Sequence, residues 1–364
     1  MKVAVIIPNY NGLRFMDPCM SALSRQTYRD FRVIIVDNGS TDGSKGALKK
    51  YEDEGMARVI LLPANTGFSG AVNEGITAAI SEGAEYIVLL NNDTEAEPDY
   101  LLKMVRLMEE PGNEKVGAVS PLMISMNNHT LIDSAGDGYS LCGWAFQRGT
   151  GRKVILHKFD HVTDVFSACA GAAMYRAKAL SAIASQERHT SRKNGGNGGR
   201  DIGESRWFFD PMHFAYLEDV DVSMRMRIAG YKILYTPDSR VYHFGSGTSG
   251  SKYNDFKVRL AARNNVWLNY KNMPLLMLLI NLPFILLGVI VKQLFFVNRG
   301  FGKQYFNGFC EGIKKLPKVH EHKVRFRFKN LGHYVMMELH MITDMFSYLQ
   351  DLICRKFGPS IKGR

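Results

Sequence analysis

The chain lacks paired cysteines, a long unbroken apolar run and two of the best-known catalytic signatures, and each absence removes a class of protein. Its five cysteines, Cys19, Cys142, Cys169, Cys310 and Cys354, are odd in number and far apart, with no CxxC pair. That pattern argues against a disulfide framework and a structural zinc site, and it suits a reducing cytosol. No Walker A or nucleophile-elbow pattern occurs, so P-loop and hydrolase readings have no support. The first residues, Lys2-Val3-Ala4-Val5-Ile6-Ile7, read as a strand. They show neither the apolar core nor the small-residue cleavage site of a secretion signal.

What is present is an ordinary globular composition in a long chain. The 364 residues are 46% hydrophobic and 22% charged, enough to bury one large α/β domain with an appendage, or two domains. The net charge of +11 is uneven: residues 298–364 hold 13 Lys and Arg against 5 Asp and Glu, a local excess of +8. A basic, aromatic-rich tail suits an anionic membrane surface or nucleic acid, with a solvated basic face as the plain alternative.

Short apolar runs over 3–7, 31–36, 58–62 and 86–90 read as strands. Helical spacing over 15–26, 44–51 and 68–80 separates them. This alternation predicts a parallel sheet with crossover helices, whose ligands bind beyond the carboxyl ends of the strands. Three of those ends carry polar clusters: Pro8-Asn9-Tyr10-Asn11, Asp37-Asn38-Gly39-Ser40 and Asn91-Asn92-Asp93. Residues 186–200 are polar, basic and glycine-rich and read as a mobile loop, either a plain insertion or a lid. Residues 219–229 read as a helix opened by Glu218-Asp219. The most apolar stretch, 275–291, is broken by Asn281 and Pro283 and falls at the short edge of what spans a bilayer, typically ~20 residues. Basic residues flank it on both sides, so a re-entrant or interface-lying helical pair bent near Pro283 is expected, a buried core helix being the alternative. Residues 323–329 alternate basic and apolar, as a strand or a headgroup contact would, and 331–354 reads as an amphipathic helix.

Each polar cluster has a chemical and a bland reading. Asp93 at a strand end can bind a hard cation such as Mg²⁺, whose remaining ligands are water and substrate phosphates; Asn-Asn-Asp is also good turn chemistry. The Asp37 carboxylate can accept the N3–H of uracil or thymine, or close an Asx-turn. Asp219 can be a general base drawing the proton from an attacking hydroxyl, or a residue favoured by the helix dipole. His243, before Gly245-Ser246-Gly247, can complete a metal site, contact phosphate, or be structural.

Taken together these segments resemble the family 2 glycosyltransferases of GT-A fold, nearest to the bacterial rhamnosyltransferase-like branch. The matching segments include Asn65-Thr66-Gly67-Phe68 with Asn73, Gly171-Ala172-Ala173-Met174, Phe209-Asp210, Glu218-Asp219-Val220-Asp221 and Tyr242-His243, in family order over residues 3 to 270. The resemblance implies a Rossmann-like, mostly parallel sheet flanked by helices. Residues 1–120 would form the nucleotide-sugar half, 121–270 the acceptor and catalytic half, and 271–364 a helical, membrane-associating extension. It implies a nucleotide-sugar pocket of Pro8, Asn9, Tyr10, Asn11, Asp37, Asn38, Gly39, Ser40, Asn65, Gly67, Phe68, Asn73, Asn91 and Asn92. Asp93 and His243 would bind Mg²⁺ or Mn²⁺, Asp219 would be the base of an inverting transfer, and Glu218 would orient the acceptor.

The expected partners are a dTDP- or UDP-sugar donor, a glycan or lipid-linked glycan acceptor and the cytoplasmic face of a membrane. A homodimer is compatible and no nucleic acid is implied. A sugar-nucleotide pyrophosphorylase is the competing enzyme, but the first strand is not followed by that class's glycine- and arginine-rich loop. A catalytically silent, membrane-docked binding module is the non-enzyme alternative, and an intact Glu218-Asp219 argues against it.

Overall fold

A computed structural model describes residues 1–155, 157–188, 204–245 and 253–357. Its first half alternates as expected: β1 (Val3–Asn9), α1 (Leu13–Ser24), β2 (Phe31–Asp37), α2 (Ser44–Asp53), β3 (Ala57–Leu61), α3 (Gly67–Ser81) and β4 (Tyr86–Leu89). β1 pairs in parallel with both β2 and β4, and β2 with β3. Side chains alternate across the sheet. Ala4 and Ile6 face a core shared with α3, while Val3, Val5 and Ile7 face one shared with α1 and α4 (Tyr100–Glu109). Burial on both faces is why these strands read as continuous apolar runs.

The second half departs from strict alternation. After β5 (Thr94–Ala96) come β6 (Val116–Ser125), β7 (Ile132–Ser134), β8 (Asp137–Tyr139), β9 (Ala145–Gln147) and β10 (Thr163–Asp164). β11 (Met174–Arg176) inserts antiparallel between β4 and β6. Then follow α5 (Ala177–Ile183), the hairpin of β12 (Ser185–Arg188) and β13 (Glu204–Trp207), α6 (Glu218–Ile228) and β14 (Lys232–His243). The sheet order is β10-β14-β6-β11-β4-β1-β2-β3, with β5 on β14 and β7 on β6. Of the predicted glycine-rich loop, 186–188 belong to β12, and 189–200 lie outside the described residues, as do 246 and 247 after Gly245.

The remaining chain is helical: α7 (Asp255–Asn272), α8 (Leu275–Val297), α9 (Gly302–Lys314), α10 (Leu316–Val319) and α11 (Leu331–Phe357). α7 straddles the boundary expected at residue 270. α11 returns to the sheet domain, where Asp344 Oδ2 accepts the Tyr139 N–H at 2.8 Å and Asp351 pairs with Arg152 at 2.7 Å.

Two expectations are corrected here. The apolar stretch is one helix through Pro283, not a bent pair. Asn281, read as a break, is buried and donates to Glu338 Oε2 on α11 at 2.8 Å, so it is an inter-helix contact. Residues 323–327 pair with no strand among the described residues. The Val324 N–H instead donates to the Lys271 carbonyl at the end of α7.

Candidate active site

Three strand ends meet at one edge of the sheet. Asn9 and Asp37 close β1 and β2 and lie opposite each other in register, with Pro8 opposite Val36. The Asn9 amide donates to Asp37 Oδ1 at 2.9 Å and to Ser40 Oγ at 3.3 Å, and the Asn92 amide donates to Asn9 Oδ1 at 2.8 Å. The Ser40 N–H donates to Asp37 Oδ2 at 3.1 Å, and the Asn11 N–H to Ser40 Oγ at 2.9 Å. Asn11 holds φ +50°, a left-handed conformation that Asn adopts more readily than most residues. Gly39, at φ +76°, cannot be replaced: a Cβ there would lie 2.7 Å from the Ala64 carbonyl carbon. Asn38 carries the network onward, donating to Asn65 Oδ1 and to the Gly67 carbonyl, both at 3.0 Å. Tyr10 stands out from this polar floor, partly exposed.

The expected residues are thus brought together, with two qualifications of role. Asp37 is fully buried, so a pyrimidine reaches its carboxylate only if the Asn9 amide or the Ser40 turn gives way. Phe68 and Asn73 face the other way. Phe68 packs on Phe209, with ring centroids 6.4 Å apart, and Asn73 Oδ1 accepts the N–H groups of Phe208 and Phe209 at 3.0 and 2.9 Å. Both tie α3 to the segment leading into Asp210.

Asp93 and His243 meet through the backbone. β5 pairs antiparallel with the end of β14, placing His243 opposite Thr94, and the Phe244 N–H donates to the Asp93 carbonyl at 3.0 Å. His243 Nε2 lies 3.4 Å from Asp93 Oδ1, and His243 Nδ1 lies 2.8 Å from Asp133 Oδ2. Burial alone would lower the imidazole pKa, but the carboxylates of Asp133 and Asp93 outweigh it and hold it up at about 10. A bound cation would displace the Nε2 proton, and a carboxylate with an imidazole whose far nitrogen is fixed by a second carboxylate would then be a donor set suited to a divalent cation. Asp133 lies on a three-residue strand, and nothing in its sequence surroundings marks it.

Asp219 sits in the first turn of α6, half-buried, whereas its neighbour Glu218 is buried. Asp219 Oδ1 accepts its own helix's Val220 N–H at 2.8 Å, and Oδ2 the Ala170 N–H at 3.4 Å. One residue on, the Gly171 carbonyl accepts the Asn91 N–H at 2.8 Å. The 169–171 segment therefore joins the end of β4 to Asp219. Burial raises both acids, and the neighbouring Asp219 pushes Glu218 further up. Asp137, buried on β8, and Cys169 place their ligand atoms within 4.8 Å of one another and of Asp219. Burial and the nearby Asp219 raise Asp137 well above the carboxylate range.

The turn that delivers Asp219 is strained: Phe214, Tyr216 and Leu217 hold φ of +63°, +71° and +67°. α7 holds it in place. The buried Asn264 amide donates to the carbonyls of His213, Ala215 and Tyr216 at 3.0, 2.9 and 2.8 Å. On the other side the turn lies against α3. Gly67, at φ +77°, has no room for a Cβ, which would come within 2.3 Å of the Phe214 carbonyl oxygen. Behind the helix the fully buried Lys271 bridges Asp210 at 2.6 Å and Asp221 at 2.7 Å. Sequence reading missed Asn264 and Lys271, since a polar residue inside a helix carries no mark of burial.

A mixed, largely parallel sheet flanked by helices, with a polar cluster, an acid–imidazole pair and a helix-borne carboxylate at its strand ends, is of the GT-A class of glycosyltransferase folds. The sequence model of glycosyl transferase family 2 matches residues 4–183, just under half of the chain. Among curated relatives, an uncharacterized glycosyltransferase of Nostoc sp. (strain PCC 7120) is 32% identical over 37% of this chain and 41% of its own length. Glycosyltransferase GlyA of Streptococcus pneumoniae serotype 4 is 27% identical over 30% of this chain and 15% of its own. The matched region is thus less than half of either relative. Among solved structures, the 1–349 segment of S. aureus TarS in complex with UDP-GlcNAc has a TM-score of 0.52 at 16% identity, covering 96% of this chain and 92% of that one. GalNAc-T7 with UDP, GalNAc and Mn²⁺ has a TM-score of 0.53 at 16% identity, covering 74% and 47%.

Proposed function

We propose that the chain is an inverting, metal-dependent glycosyltransferase. It moves a sugar from dTDP-rhamnose or a UDP-sugar to a growing, lipid-linked cell-surface polysaccharide at the cytoplasmic face of the membrane. The observation that carries the reading is the placement of Asp219, a half-buried carboxylate fixed by two backbone N–H groups and joined through 169–171 to the strand end bearing Asp93. Asp93 and His243 would hold Mg²⁺ or Mn²⁺, with Asp133 fixing the imidazole. The cation would offset the negative charge that develops on the departing diphosphate. Asn9, Asn11, Asn38, Ser40 and Asn65 line the floor for the nucleoside. Asp219 accepts the proton of the acceptor hydroxyl as that oxygen attacks the anomeric carbon.

GalNAc-T7 is described with UDP and Mn²⁺, and TarS with UDP-GlcNAc, which favours a uridine or thymidine donor with metal here. A thermal-shift screen of dTDP- and UDP-sugars with and without Mn²⁺ tests this. One pyrimidine donor should raise the melting temperature only with metal. Stabilisation by purine donors alone, or equally without metal, contradicts it.

A further inference from the structure

The apolar residues the sugar-transfer site leaves unused gather on the C-terminal helices. α8 buries only one stripe, Asn281, Ile285 and Gly288, spaced as one side of a helix. Trp144 Nε1 donates to the Gly288 carbonyl at 3.2 Å, seating that stripe on the sheet domain. Elsewhere Leu276, Leu279, Leu287, Ile290 and Leu294 are more than half exposed. α11 turns Tyr334, Met337 and Met341 inward and leaves Val335, Leu339, Phe346 and Ile353 outside, and Asn281–Glu338 brings the two helices into contact. Beside them Arg325, Arg327 and Lys329 alternate with Phe326 and Phe328, all exposed, Phe328 by 80%.

Exposed apolar side chains gathered in this way, rimmed by polar residues, mark an interaction surface. Its basic rim selects the occupant: a second copy of this chain would set like charges against each other, whereas acidic headgroups complement them. The connections also decide how α8 lies. Its 23 residues reach about 34 Å, long enough to cross a bilayer. Yet α7 and α9, which lead into and out of it, pack directly on each other. The Trp267 indole donates to the Gly312 carbonyl at 3.0 Å, and Gly308 lies against the Arg259 backbone. Both ends of α8 are therefore held by one helical layer: Met277 and Leu278 near its start pack with Leu268 and Met273 at the end of α7, and Phe296 near its finish packs with Tyr253 and Tyr305.

We propose that α8, α11 and the 325–329 segment form a docking face for a bilayer bearing anionic headgroups, with α8 lying in the interface plane rather than crossing it. The test is independent of sugar transfer. The full chain is floated with vesicles of phosphatidylcholine alone and of phosphatidylcholine with phosphatidylglycerol. It should rise with the anionic vesicles, and the exposed-site triple variant Arg325→Glu, Arg327→Glu, Lys329→Glu should bind them about 100-fold more weakly or worse. Tryptophan introduced in turn at Leu276, Leu287 and Leu294 should be quenched alike by lipids brominated near the headgroup. Failure to float, with the chain eluting as a dimer, would mean a second copy covers this face. Quenching of the 287 position only by deeply brominated lipid would mean that α8 spans. Either result overturns the proposal.

Discussion

At the scale of single residues the account rests on Asp219, Asp93 and His243. Asp219→Asn should keep the fold and lower kcat by roughly 10²–10⁴, the usual worth of a general base, with an unchanged melting curve as the control. Burial raises the Asp219 pKa, so kcat/KM should fall on the acid side through an apparent pKa above the ordinary ~3.9 of an aspartate, read from a pH–rate profile. Asp133→Asn should weaken Mn²⁺ binding by about 10–100-fold by freeing the imidazole it orients, measured by metal titration followed by electron spin resonance. These residues differ in how legible they were. Asp37, Asp93 and Asp219 stand at the ends of apolar or helical runs, where the break in periodicity marks the end of an element. Asp133 and Asp137 lie in strands of three residues, too short for any period, and become visible only when β7 and β8 are folded beside β14 and α6.

At the scale of elements, the turn 212–217 and α7 decide where Asp219 stands. Burial alone would raise the Asp221 carboxyl, but the Lys271 ammonium and the Arg225 guanidinium overcome it and hold it at about 2. A depressed carboxyl stabilises the fold above its ordinary pKa, and that contribution is lost as pH falls through the folded value. The melting temperature should therefore drop between pH ~4 and ~2. Lys271→Met leaves Asp210 and Asp221 buried without their shared cation and should cost about 3–5 kcal/mol in urea unfolding. The helices themselves were readable, because α1, α3 and α6 follow the 3.6-residue period. The burial of α7 was not, since Arg263, Asn264 and Lys271 are polar and are buried only by their bonds to the 210–216 segment.

At the scale of the whole molecule, the parallel half and the helices α6 and α11 were legible, and the antiparallel pairings were not. β1 to β4 announce themselves as apolar runs separated by helices, whereas the antiparallel insertion of β11 depends on pairing with β4, far upstream in the chain. The return of α11 to the sheet domain is likewise a long-range pairing, through Asp344 and Asp351. The seat of α8 on that domain can be tested directly. A Cβ on Gly288 would lie 2.1 Å from the Cys142 carbonyl oxygen, so Gly288→Val should destabilise by about 1–3 kcal/mol through overpacking, read as a lower urea midpoint.

The central claim is that Asp219 removes the acceptor proton in a sugar transfer. The most direct measurement is release of nucleoside diphosphate from the stabilising donor, with Mn²⁺ present, by the wild-type chain and by Asp219→Asn side by side. The account predicts steady release by the wild type and near-background release by a variant that melts at the same temperature and still binds the donor. Equal release by the two proteins would contradict it.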